Sequence, residues 1–223
     1  MKFNEDIYRE FEISFRELGF LDSRHFIHNG CLDFYRKTSV NMHWVRLVFG
    51  LDSKGFVQIN SFISFSTVTN ILREFIPIKT DFIEEIVKNN YIRSQWPDLM
   101  QEFCALPLNT STEREVFKER IMQHVYDYIL PFFDKIPNLQ SVNDQILNKI
   151  PEEEYADYIP GQTNFKVLII MKLCNNPKYE SFKNWALEAY KRGAEMDESR
   201  YGADFETLQS LVTYLDDEHL KDY

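Results

Sequence analysis

The sequence predicts an α+β fold: an N-terminal helix on a four-stranded antiparallel meander, followed by a mostly helical C-terminal half. Three observations predict it. Apolar residues recur at helical steps over residues 3–18. Between residues 24 and 65 they alternate with a period of two, and turn residues separate the runs. Beyond Val68 the strand signals stop and helical periods continue.

The first helix is expected over residues 4–18. Phe3, Ile7, Phe11, Phe15 and Leu18 fall on one face, Asn4 can cap its start, and Gly19 can take the left-handed conformation that ends it. Residues 24–28 and 31–37 read as the strands of a hairpin. Asn29-Gly30 suits a two-residue type I′ turn, whose central residues both need positive φ. A third strand covers residues 42–49, with Val45, Leu47 and Phe49 facing one way and Trp44 and Arg46 the other. Gly50 to Gly55 is turn chemistry. The fourth strand, residues 56–65, alternates through Val57, Ile59, Ile63 and Phe65. The apolar face of such a sheet must be covered, most simply by the first helix.

Short helices follow near residues 68–75 and 81–89, and another near 98–104 with Pro97 in its first turn. Thr110-Ser111-Thr112-Glu113 is a capping signature that opens a long helix. Val116, Phe117, Ile121, Val125, Tyr128 and Ile129 line its inner face, and Pro131 is expected to kink or end it. Ser141 caps a helix carrying Val142, Ile146 and Ile150, and Pro151 stops it. The last third reads as three packed helices over residues 164–174, 178–194 and 205–215, the first apolar nearly all round and therefore central. There is no internal repeat at a fixed period. Leu106-Pro107-Leu108-Asn109 separates a sheet lobe, residues 1–105, from a helical lobe, residues 106–223, which together are expected to form one compact unit.

Composition sets the class. The chain has 223 residues, 44% hydrophobic and 27% charged, enough for a large core without disulfides or metal. Nineteen Phe and twelve Tyr point to a core built from rings. Cys31, Cys104 and Cys174 are odd in number and form no CxxC pair, which fits free thiols in a reducing compartment. The opening MKFNEDIYRE is too polar for a signal peptide, and no apolar run approaches the roughly 20 residues of a membrane span. A cytoplasmic protein that does not engage membranes is expected. The net charge of −10 is unevenly spread: residues 1–100 hold 12 basic and 13 acidic side chains, residues 101–223 hold 13 and 22. Such a balance opposes nucleic-acid binding and suits either plain solubility or a basic protein partner.

Three segments carry a resemblance. They are Phe15-Arg16-Glu17-Leu18-Gly19-Phe20, then Asp33-Phe34-Tyr35-Arg36, then Gly55-Phe56-Val57-Gln58-Ile59-Asn60. Leu130-Pro131-Phe132-Phe133-Asp134-Lys135-Ile136, followed by residues 141–147, adds a fourth. In this order the chain resembles a family of small bacterial α+β proteins described as a domain of unknown function, over roughly residues 4–150. The resemblance implies an immunity-type or accessory factor beside a toxin system. It carries structural punctuation and no catalytic residues.

Several clusters bring chemistry-bearing residues together. His25, His28, Cys31 and His43 gather in the hairpin and the next strand. His25 and His28 are three apart on a strand and point to opposite faces, so no metal is expected there. Asp33 with Asp52-Ser53-Lys54 imitates a magnesium-dependent nuclease, but the flanking Gly50 and Gly55 explain the tripeptide as a turn. No GxSxG elbow or phosphate-cradling glycine loop occurs, His124 sits at a structural helical position, and no cofactor is expected. Trp44, Trp96 and Trp185 read as core or sheet-face rings, and Asp216, Asp217, Glu218 and Asp222 as a frayed polar end. The densest acidic run is Glu152, Glu153, Glu154 and Asp157, interleaved with Tyr155 and Tyr158. A solvated loop explains it plainly; an interaction patch, with carboxylates to steer a basic partner and tyrosines to hold it, is the functional reading. The expectation is a non-catalytic protein-binding protein that neutralises a basic effector by occlusion. The alternative is a hydrolase of unrecognised class with its site between sheet and helices.

Overall fold

Helix α1 (Phe3–Glu17) begins one residue earlier than its pattern and ends as the pattern requires. Gly19 has φ +82°, and the amides of Gly19 and Phe20 donate to the carbonyls of Arg16 and Phe15. This is the Schellman closure, and its hydrophobic contact is the edge-to-face pair Phe15–Phe20 at 5.4 Å. The structure is a computed structural model that describes residues 3–26, 30–50, 55–77, 84–89 and 96–217. The side chains of residues 3–6 and 96–100 lie outside that description.

The chain divides into two compact units. The first comprises Met1–Ile63 and Lys88–Pro137, the second Ser64–Val87 and Asn138–Tyr223. The break in sequence character near residue 105 therefore falls inside the first unit.

The sheet runs in the order β1-β2-β3-β4-β5, with β1 Asp22–Phe26, β2 Cys31–Lys37, β3 Met42–Phe49, β4 Phe56–Ser64 and β5 Val87–Lys88. The first four strands form the expected antiparallel meander. The hairpin register pairs Phe26 with Cys31, so four residues rather than two separate the paired positions. Gly30 has φ +62°; residues 27–29, which include Asn29, lie outside the described residues, as do residues 51–54 of the next turn. The difference of two leaves each side chain on its expected face, because strand side chains alternate with a period of two. Phe15 of α1 stacks on Phe34 of β2 at 4.1 Å, which places the helix on the sheet. Phe11, Phe49, Phe56 and Phe117 extend this aromatic core.

Two expectations about strands change. β4 buries Phe56 and leaves Val57 exposed, and all its positions from Ser61 to Ser64 are buried, so simple alternation does not describe it. A strand covered on both faces loses the two-residue signal. The helix expected over residues 81–89 is replaced, where described, by irregular residues 84–86 and the two-residue strand β5. Buried Ile86 and Val87, both β-branched, suit a strand better than a helix. Residues 81–83 lie outside the described residues.

Helix α3 (Trp96–Ala105) has Pro97 in its first turn. Helix α4 (Ser111–His124) opens with the full capping box: Glu113 N–H donates to Thr110, and the Glu113 carboxylate accepts from the Thr110 N–H. Val116 is exposed rather than inward, whereas Phe117, Ile121, Val125 and Ile129 are buried. Pro131 does not end the helix. A π-helical turn, Val125–Ile129, precedes α5 (Leu130–Lys135), and the Leu130 amide reaches back to the Val125 carbonyl. The wider turn absorbs the proline that an α-helical register would reject.

In the second unit, α2 is Ser66–Phe75, and α6 (Leu139–Val142) is capped by Asn138, which accepts from the Ser141 N–H. Asn138 thus takes the role expected of Ser141. A second π-helical turn, Asn143–Leu147, follows, and Ile150 is only half-buried. Helix α7 (Tyr155–Tyr158) leads to α8 (Thr163–Leu173), α9 (Tyr179–Met196) and α10 (Glu198–Asp216). Phe165 to Met171 of α8 are all buried, the centre that the sequence predicts.

Candidate protein-binding surface

The acidic run folds into one short turn. Pro151 is extended, and Glu152–Glu154 make a single 3-10 turn in which the Glu154 amide donates to the Pro151 carbonyl. All three glutamates are exposed. Among the described residues, none of their carboxylates is part of an ion pair. Two buried side chains fasten the segment behind them. Ile159 is buried, and the Tyr155 hydroxyl donates to the Leu147 carbonyl at 2.6 Å. Burial, and then the neighbouring Glu152 charge, push the Tyr155 hydroxyl up to about 12, so it stays a donor.

This arrangement changes the composition of the patch. Tyr155 is 1% exposed, so its ring belongs to the core and offers no contact area. Asp157 and Tyr158 are half-buried. A ring that does reach the surface is Trp185 of α9, 49% exposed. It packs 5.2 Å from Phe182, whose ring lies 6.0 Å from Tyr155. An exposed indole therefore sits two ring-to-ring steps from the residue that anchors the acidic turn. Helical spacing made Trp185 look like core, next to Phe182 and Ala186. The discriminating signal was the stripe Tyr179, Phe182 and Ala186, which α9 buries and which leaves Trp185 off its axis.

Charge is concentrated in the same unit. The second unit holds 11 basic and 20 acidic side chains, a net of −9; the first holds 14 and 15, a net of −1. Asp216 is not part of a frayed end. It accepts from Lys183 at 2.8 Å, from the Tyr179 hydroxyl at 2.9 Å and from Lys172 at 3.3 Å. These groups hold its carboxyl below the usual range against the opposing effect of burial. Residues 218–223 lie outside the described residues.

The other clusters resolve individually. His25 stacks on Tyr8 at 5.3 Å, and His43 stacks on Phe133 at 4.3 Å; His28 lies outside the described residues. Among the described residues no three His, Cys, Asp or Glu side chains converge as a metal site. Asp33 is committed to Arg46, which donates to it from Nε at 2.7 Å and Nη2 at 2.8 Å, and it also accepts from the Tyr35 hydroxyl. Its supposed companions, residues 52–54, lie outside the described residues. Burial raises the thiol of Cys31 and pushes that of Cys174 up to about 11, which disfavours the nucleophilic thiolate. His124 is buried between Phe103 and Tyr128, and Trp44 is buried on the sheet. Among the described residues no helix is long and apolar enough to cross a membrane. No protein-family model, curated protein or solved structure matches the chain.

Proposed function

We propose that this protein binds a basic protein partner without catalysis, as an immunity-type or accessory factor that works by occlusion in the cytoplasm. The observation that carries the reading is the pairing of an exposed carboxylate turn, free of ion pairs among the described residues, with an exposed tryptophan, both tied to one buried ring system. Carboxylates at Glu152, Glu153 and Glu154 steer a cationic surface during encounter, and the −9 charge of their unit adds to that field. Trp185 supplies rigid contact area that slows release, with Tyr158 and Asp157 beside the turn. Tyr155 acts from beneath, by holding the turn in place.

The test is affinity capture from the native cells at low and moderate salt, read by mass spectrometry, with two variants alongside the parent chain. A basic protein retained by the parent, weakened by salt, and lost both with Glu152→Lys/Glu153→Lys/Glu154→Lys and with Trp185→Ala supports the reading. A partner retained equally by all three proteins, or one that is acidic, overturns it.

A further inference from the structure

His43 of β3 is sealed against a cation. Its side chain is 5% exposed, and its ring lies parallel to that of Phe133 of α5, 2° apart in plane. Arg36, its register partner on β2, places Nε 3.2 Å and Nη2 2.9 Å from His43 Nδ1. A guanidinium offers only donors, so Nδ1 must be the acceptor and the imidazole proton sits on Nε2. Nε2 is itself buried, with no hydrogen-bond partner among the described residues. The Arg36 guanidinium lies over the rings of Phe20 and Phe133, 5.1 and 5.7 Å from their centres, and donates to the Leu18 carbonyl. Asp134 of α5 is the acidic group that acts on Arg36. Lys37, next on β2, projects from the opposite face of the sheet. Among the described residues no carboxylate hydrogen-bonds to the imidazole. The same stretch of chain is tied once more, where Asn41 Nδ2 donates to the Pro137 carbonyl at 2.9 Å.

We propose that the Arg36–His43–Phe133 stack is an acid-sensitive latch, in which protonation of His43 releases α5 and residues 136–137 from β2 and β3. A proton on Nδ1 turns the acceptor into a donor aimed at a guanidinium, and it sets two cations side by side among phenylalanine rings. Burial, then Arg36, already holds the imidazole down at about 4, against an ordinary value of 6.5. The sign follows from linkage. The latched form refuses a proton that the released form accepts, so latching is fully favoured above pH 6.5. It weakens as pH falls and levels off below about 4. The ratio of latched to released chain falls by roughly 100-fold between pH 7 and pH 4, and by roughly 300-fold in all once His43 is fully protonated.

Hydrogen exchange read by mass spectrometry between pH 7 and pH 4, corrected for intrinsic rates, tests the latch on the full chain. Peptides covering residues 130–137 should lose about 100-fold or more of their protection before peptides of α8 lose any. His43→Gln keeps an uncharged acceptor for Arg36 and should abolish that pH dependence. In the unsubstituted protein, NMR of the imidazole should report the Nε2–H tautomer and a titration near pH 4, independent of how any variant folds. A titration of His43 near 6.5 overturns the proposal. So does α5 protection that ignores pH, or an unchanged pH profile in His43→Gln.

Discussion

Replacing Asp33 by Asn keeps the shape of the side chain and removes its charge. The carboxylate is 0% exposed and takes two forked hydrogen bonds from Arg46, its direct partner across the β2–β3 register. Losing one member of a buried pair costs about 3–5 kcal/mol, because the other charge is left uncompensated. Here Arg46 is a quarter exposed and can turn partly to water, so the lower end applies, about 3 kcal/mol. The first unit spans 113 residues, for which that loss corresponds to a melting temperature lower by roughly 10 °C. Urea unfolding followed by tryptophan emission suits the site, since the Arg46 guanidinium lies 4.3 Å from the centre of the Trp44 ring. The control is Asp33→Leu with Arg46→Met, made and compared in a Tyr35→Phe background so that the hydroxyl that also donates to Asp33 is not left unpaired. Replacing both charges with apolar groups removes the uncompensated ion, and the double variant should recover to within about 1 kcal/mol of the parent. A single variant that loses less than about 1 kcal/mol, or a double variant as unstable as the single, refutes this account of the pair.

Two more predictions follow from buried cations and histidines. Lys166→Met should destabilise the second unit by about 3 kcal/mol in urea. The buried ammonium binds the Glu84 carboxylate at 2.6 Å and the carbonyls of Glu85 and Pro160 at 2.7 and 2.5 Å, and methionine leaves all three without that donor. Recovery of parental stability in Lys166→Met would show that the ammonium is incidental. His124 is held at about 4 by burial, with Asp127 opposing, so the native state loses about 3 kcal/mol through this residue as pH falls from 6.5 to 4. His124→Leu should remove that part of the acid limb, measured as urea midpoints at pH 7, 5.5 and 4; an unchanged limb contradicts it.

Legibility in the sequence tracked how one-sided each environment is. β3 was readable to the residue, because Val45, Leu47 and Phe49 are buried while Arg46 and Val48 between them are only half-buried, so its second half keeps the two-residue period even though His43 and Trp44 are both buried at its start. The α4 start was readable because a capping box is a local hydrogen-bond circuit that needs no tertiary partner. α8 announced its central place by being apolar all round. What failed was non-local. Val87-Lys88 is a strand only because β4 lies beside it. Pro131 continues a helix because a π-helical turn lies just before it, and spacing rules count only in steps of three and four. For the candidate surface, the acidic turn was visible as composition. The exchange of Tyr155 for Trp185 was not, since thirty residues of chain separate the two rings that share Phe182 as neighbour.

The interleaving of the two units has a consequence for how the chain is made. The second unit begins with Ser64–Val87 and resumes only at Asn138, so residues 88–137 interrupt it to complete the first. During synthesis, Ser64–Val87 leaves the ribosome before Asn138–Tyr223, the rest of its own unit, exists. Val68, Ile71 and Leu72 of α2, buried in the finished protein, must wait for α8 and α10. The first unit can close as soon as Pro137 emerges; the second closes last. A nascent chain arrested just after Pro137 has left the exit tunnel would therefore present a finished first unit and an apolar helix still in search of its partners, which is the species a chaperone would meet.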